Sequence, residues 1–356
     1  MPTFPRISAR AARTCVLTLL LALASQSASA VEQPLLSLDS ALARAFANNP
    51  ELAAARWEID IAQGARQQAG LIPNPVLSVD AEDTRRDSRT TSVKLSQALE
   101  LGGKRGARID VASRGQELAA LELERRRNQL RADVLDAYYT ALRAQERTQL
   151  AGRSLALAER GVAVAQGRVN AGKASPVEAT RAQVQLAEVR LELNRGQMEQ
   201  DNAYRRLAMV TGAATSDFAG VQEQPLALAA LPAPAQLLGR LPETTELRLA
   251  EQEVVQREAS LGLEKAQRIP DLDVSVGSQY DASARERVNL VGLSMPLPLF
   301  NRNQGNVLSA ARRADQARDL RNATELRLRT ETRQALEQWN TARGEVQSFN
   351  QTILPA

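Results

Sequence analysis

The sequence predicts a mostly α-helical protein with a small β part: long antiparallel helical hairpins that build a wall of helices, plus four short strands. Three observations predict it. A tract of about 70 residues ending at Gly172 has no proline and is rich in Ala, Leu, Glu, Gln and Arg, the strong helix formers. The helix after it carries two apolar heptad stripes on nearly opposite faces, one of Val177, Val184, Leu191 and Met198, the other of Leu186, Leu193 and Leu207. Short alternating segments behind paired prolines read as strands, and the whole pattern returns about 200 residues later.

Taken in order, the chain opens on an address. Arg6, Arg10 and Arg13 precede an apolar run at 15–24, and Ala28-Ser29-Ala30 forms an A-x-A site, so residues 1–30 read as a signal peptide with cleavage after Ala30. The run is shorter than the roughly 20 residues a spanning helix needs. Cys15 stands before the apolar run, whereas a lipoprotein cysteine follows it, so lipidation is not expected. A first repeat is placed at 31–212. Asp39 or Ser40 caps a helix expected to reach Gly70, where Pro73 and Pro75 stop it. Strands are expected at 76–82 and 91–97, with a polar loop between them. Gly102, Gly103, Lys104 and Arg105 form a strand-to-helix turn into the long rod, which at 1.5 Å per residue measures about 105 Å. Gly172 terminates the rod, Ser175 caps the next helix and Pro176 fills its first position. That helix is expected to run to about Thr211.

Opposed stripes mean a helix with neighbours on both sides, the pattern of a wall or barrel rather than of a two-stranded coil. An Ala/Pro-rich linker is placed at 213–242 and a second, incomplete repeat at 243–356. Ile72-Pro73-Asn74 is echoed by Ile269-Pro270-Asp271, 197 residues on, and Leu95-Ser96 by Leu293-Ser294, 198 residues on. Strands are expected at 272–280 and 288–296, then a strand-to-helix turn at Phe300, Asn301 and Arg302. By this arithmetic a full second copy needs about 54 more residues, a last helical hairpin.

Composition excludes most chemistry. There is no histidine and only Cys15, so histidine-based catalysis, disulfides and the usual zinc or copper sites fall away. Asp-x-Asp-x-Asp-Gly calcium loops are absent. The Gly102-Gly103-Lys104-Arg105 turn lacks the earlier glycine and the Ser or Thr of a phosphate loop. The net charge of +4 falls to +1 without the three leader arginines, and aromatics are 3%, so no nucleic-acid platform is expected. Neither a cofactor nor an enzymatic activity is expected. The strands approach the 9–11 residues that cross an outer membrane with tilt, but four cannot close a barrel, so strands from several copies would have to pool.

The order helix, strand pair, long rod, hairpin, helix, with a duplicated half, resembles the TolC family of outer-membrane efflux factors over residues 36–356. Ile72-Pro73-Asn74-Pro75, the turn Glu100-Leu101-Gly102-Gly103-Lys104-Arg105 and Pro298-Leu299-Phe300-Asn301-Arg302 resemble its heavy-metal branch, typified by CzcC. Arg168-x-x-x-Gly172-x-x-Ser175 matches the family's hairpin-tip motif. The resemblance implies a homotrimer with a 12-stranded barrel in outer-membrane lipid and a helical tunnel in the periplasm. It further implies that Arg168, Gly172 and Ser175 face a periplasmic adaptor, beyond which stands an inner-membrane pump of the resistance-nodulation-division (RND) type. The protein would be a passive conduit, most simply for cobalt, zinc, cadmium or copper-type cations. The alternatives are an outer-membrane factor for drug efflux or type I secretion, and a periplasmic coiled-coil scaffold or adaptor.

Overall fold

A computed structural model describes residues 35–83, 85–223 and 231–353, with side chains as far as Gln351. The leader at 1–30, with Cys15 and its cleavage site, lies outside the described residues, as does part of the linker. The chain packs as two units, one of 35–43 with Leu135–Glu223 and one of Arg44–Val134 with the residues after 223. Each unit therefore draws on separated stretches of the sequence.

In the first unit, β1 (Leu35–Leu36) pairs in parallel with β4 (Gly220–Val221). The helix α3 (Lys104–Asn170) contributes its C-terminal part, and α4 (Pro176–Val210) runs back beside it. Residues covered on α3 are Ala144, Thr148, Ala151, Leu155, Ala158, Val162 and Ala165; those on α4 are Ala182, Leu186, Val189, Leu193, Gly196, Gln200 and Ala203. Both sets alternate steps of three and four, which keeps one seam facing the partner helix. Small residues let the backbones approach: a Cβ on Gly196 would stand 3.3 Å from the Thr148 hydroxyl. Arg147 clamps the seam from outside, 2.6 Å from Glu192 and 2.9 Å from Glu199.

The two-residue ribbon survives because side chains satisfy it. Tyr138, fully buried, donates its hydroxyl to the Gln222 carbonyl at 2.7 Å. Gln145 donates to the Val221 carbonyl at 3.1 Å, and its Oε1 accepts from the Val221 amide at 2.9 Å and the Tyr204 hydroxyl at 2.6 Å. Gln200 then donates to Tyr204 at 2.8 Å. Burial pushes both tyrosine hydroxyls above their ordinary pKa, so they stay protonated donors.

The helix expected to run unbroken to Gly70 is two, and the break lies within the second unit. Here α1 (Leu38–Asn48) ends and α2 (Pro50–Ala69) begins. Pro50 lacks the N–H needed to continue, and Asn49, in extended geometry, caps α2 by accepting from the Leu52 amide at 3.0 Å. The linker region holds short elements, α5 (Pro234–Gly239) and a 3₁₀ turn (Leu241–Glu243). Next, α6 (Thr245–Ala266) pairs antiparallel with α7 (Gln304–Ser348), bridged by Glu258–Arg318 at 2.6 Å and Glu251–Arg321 at 3.0 Å. Ala310, Ala314 and Ala317 are its buried face. A single π turn, Phe349–Ile353, follows.

The sheet of this unit is antiparallel in the order β2 (Val76–Glu82), β3 (Thr90–Leu99), β5 (Leu272–Asp281), β6 (Glu286–Ser294). The strand expected at 288–296 lies two residues earlier, since Pro296 has no amide for the ladder. Gly277 stands opposite Lys94, where a Cβ would meet the Val93 carbonyl at 2.5 Å.

Replacing Gln145 by leucine orphans the Val221 amide and carbonyl and removes the acceptor of the Tyr204 hydroxyl, at similar side-chain volume. We expect a loss of about 3 kcal/mol, read as a lowered urea midpoint against wild type.

Candidate functional site

The strand period places alternate residues on opposite faces of the sheet, and the registers carry each face across all four strands. On one face lie Leu77 and Val79 of β2, Val93 and Leu95 of β3, Val274 and Val276 of β5, and Val291 and Leu293 of β6. The other face carries Ser78, Asp80, Glu82, Ser92, Lys94, Asp273, Ser275, Gln279, Asp281 and Glu286. Its charges are five carboxylates against one ammonium. Asp80 and Lys94 stand 4.0 Å apart, a loose pair. This acidic face was missed in the sequence reading, which used the apolar alternation at Val93 and Leu95. Its signal was present in the intervening positions, but only the register unites them.

The turn into α3 is bound on three sides. Gly102 and Gly103 have φ of +71° and +73°, a region that favours glycine, and a Cβ on Gly102 would come within 2.8 Å of Ile269. Lys104 reaches Asp271 at 2.7 Å, and the Leu101 amide donates to the same Oδ1 at 3.1 Å. Arg105 donates to the Gly70 carbonyl at 2.6 Å. Arg108 grips Glu100 with two nitrogens, one at 2.9 Å, and also reaches the Leu71 carbonyl. Hydrogen bonds from Arg108 hold the Glu100 carboxyl below its usual pKa. Of these, Arg108 was not singled out from sequence, while Glu100 and Asp271 stood there only as members of the turn and echo motifs, without these partners.

The turn into α7 is built differently. Arg302 donates to the Pro298 carbonyl at 3.2 Å, Asn301 accepts from the Asn303 amide at 3.1 Å, and Phe300 is 90% exposed. Asn303 takes the left-handed conformation, φ +57°, that glycine takes in the other turn, and its side-chain Nδ2 donates to the Glu264 carbonyl and carboxylate. The sequence reading stopped one residue short of it.

In the first unit, the hairpin tip is a helix stop followed at once by a start. Gly172 has φ +69°, and the amides of Gly172 and Lys173 donate to the carbonyls of Val169 and Arg168. Ser175 accepts from the Val177 amide at 3.3 Å, with Pro176 in the first helical position. Arg168 lies 3.7 Å from Glu178 across the turn, and both are exposed.

These elements match known proteins. The profile of the family described as outer membrane efflux protein covers residues 41–213 and 240–355. The chain belongs to this family. The cobalt-zinc-cadmium resistance protein CzcC of Cupriavidus metallidurans is 39% identical over 320 residues, 90% of this chain and 77% of that one. The nickel-cobalt-cadmium resistance protein NccC of Alcaligenes xylosoxydans xylosoxydans is 28% identical, over 91% and 74%. In structure, this efflux protein superimposes on the CusC transmembrane channel with a TM-score of 0.74, 17% identity, and coverage of 88% of this chain and 78% of that one. For the outer membrane protein VceC of Vibrio cholerae the values are 0.72, 20%, 89% and 82%. At such identities the structures attest the fold. Family and fold together make this a non-enzymatic efflux conduit of the outer membrane, with its helices in the periplasm.

The Glu100–Arg108 pair sets a pH prediction for the efflux protein. A lowered carboxyl pKa stabilises the fold above the unfolded value, about 4.3, and that contribution is lost as pH falls through the lower folded value. The thermal midpoint of Glu100→Gln should lie below wild type at pH 5–7. The gap should close as pH drops below about 4.

Proposed function

We propose that this efflux protein is the outer-membrane channel of a tripartite system exporting heavy-metal cations. Three copies close one 12-stranded barrel; a periplasmic adaptor meets the tip at Arg168, Gly172 and Ser175; an inner-membrane pump of the RND type supplies the cargo. The observation that carries the cargo class is the acidic sheet face. With its apolar face toward lipid, the barrel turns Asp80, Glu82, Asp273, Asp281 and Glu286 toward the lumen, against Lys94 alone. A lumen of that sign concentrates cations and repels anions. The metal-resistance names of its relatives agree with it.

Pooling of strands is supported by what one copy leaves open. On α4, Val177, Val184, Leu191 and Met198 are 51–67% exposed, while the opposite stripe ends in the fully buried Leu207. On α3, Leu150, Leu157 and Val164 are open too. These stripes are the surfaces on which further helices complete a wall.

Two experiments test the proposal. In a strain lacking its own copy, the gene should restore growth on cobalt, zinc or cadmium; rescue of drug tolerance alone would assign a different cargo. In planar bilayers, Glu82→Gln with Asp273→Asn should lower the cation-over-anion permeability ratio about threefold. An unchanged ratio would remove these carboxylates from the lumen.

The tip is tested separately. Gly172→Asp places a side chain and a charge at a left-handed position, and should abolish co-purification with the adaptor while the trimer persists. Ser175→Ala should cost about 1 kcal/mol of local capping, seen as faster amide exchange at 177–179, with the adaptor still bound.

A further inference from the structure

The two strand-to-helix turns are repeat counterparts, and they differ in how their cations are answered. In the first, Lys104 meets Asp271 at 2.7 Å and Arg108 grips Glu100. Carried forward by the 198 residues that take Leu95 to Leu293, Lys104 falls on Arg302 and Glu100 on Pro298. Carried back by the 197 residues that take Ile269 to Ile72, Asp271 falls on Asn74. Both carboxylates of the first turn thus have neutral counterparts. Arg302 keeps backbone acceptors only, the Pro298 carbonyl at 3.2 Å and the Leu299 carbonyl at 3.5 Å.

A second cation shares these surroundings. Arg268 and Arg302 line one cleft of about 530 Å³ together with Pro270, Leu297 and Phe300, and no carboxylate lines it. Glu264 lies one helical turn before Arg268 but is occupied by Asn303, whose Nδ2 donates to it at 2.7 Å. Among the described residues neither arginine has an ion pair. The volume is within the roughly 300–1,000 Å³ of small-ligand clefts. Its lip is apolar and open: Leu297, Leu299 and Phe300 are 75%, 63% and 90% exposed.

We propose that this cleft binds the headgroup phosphate of an anionic phospholipid of the periplasmic leaflet. Arg268 and Arg302 take the phosphate, and Leu297, Leu299 and Phe300 lie against the acyl chains. The proposal rests on the channel reading above, which puts the helix end of the sheet at the periplasmic boundary of the membrane. A guanidinium presents a planar fork of donors that matches phosphate oxygens, and it is more weakly hydrated than an ammonium. Two positive charges with no carboxylate between them favour a ligand of net negative charge, since a zwitterionic lipid brings a cation of its own. The two carbonyl contacts of Arg302 are long and exposed, so exchanging them for a phosphate costs little. Free phosphate would meet the arginines but leave the apolar lip in water. A lipid covers both.

Native mass spectra of the trimer, stripped of lipid in detergent and titrated with phosphatidylglycerol or phosphatidylcholine, test the site. Phosphatidylglycerol should bind, one to each copy, at about one tenth of the concentration that phosphatidylcholine needs. Arg268→Gln with Arg302→Gln should erase that preference, and the trimer in the same spectra shows that the double variant folds. Arg66→Gln, near the end of α2 and outside the cleft, should keep it. A large excess of inorganic phosphate should leave the lipid bound. Equal binding of the two lipids overturns the site, as does a preference that survives the double variant or is lost equally in Arg66→Gln. Displacement by inorganic phosphate overturns the lipid as its occupant. Each of these results in an intact trimer leaves the channel reading standing. A folded chain seen only as a monomer overturns that reading, and the site with it.

Discussion

Backbone hydrogen bonding in a medium without water is the constraint from which the rest of this molecule follows. A strand in hydrocarbon must find partners for every amide and carbonyl, and each group left open costs several kcal/mol. The chain supplies four strands in one antiparallel sheet with β2 and β6 as its edges. Such a sheet cannot rest in a bilayer alone, so its sequence is written for neighbours. On the apolar face, Leu77 and Val79 of β2 and Val291 and Leu293 of β6 are 64–80% exposed, more than Val93, Leu95 and Val276 of the inner strands.

The helices answer the same demand with different chemistry. Their backbones are satisfied internally, so what needs a neighbour is side-chain surface. Within the first unit, alanines and Gly196 let α3 and α4 approach closely, and Arg147 and Arg206 tie charges across the outside of the seam at 2.6–2.9 Å. Exposed pairs of this kind contribute little to stability, about 0–1 kcal/mol each. Their larger effect is to set which faces meet. The buried Gln145–Tyr204–Val221 network is the exception, because loss of one partner leaves others unsatisfied away from water.

For the cation cargo proposed above, weak sites are an advantage. The carboxylates of the polar sheet face come from three strands, β2, β5 and β6, and no cluster of three or more metal-ligating side chains occurs among the described residues. A dispersed negative field attracts an ion without coordinating it, which favours passage over retention.

Sequence by itself determined the elements whose cause is local. Proline-free composition made the rod, Gly172-Lys173-Ala174-Ser175-Pro176 made the hairpin, and period-two alternation made the strands. The repeat offsets of 197 and 198 were legible before any coordinate and returned as the register of both hairpins. Even the break at Asn49-Pro50 had a local signal, passed over because the helical pattern continues on both sides. Tertiary structure alone decided which of two equivalent apolar stripes on α4 is covered and which is open. It also made a ribbon from Leu35–Leu36 and Gly220–Val221, too short to announce itself, and joined Lys104 to Asp271 across 167 residues. It set five carboxylates on one face of a sheet drawn from both halves of the chain. The reason is one of range. Helix, cap and strand propensities act over a few residues, whereas burial, pairing and the sign of a surface exist only once distant segments have met.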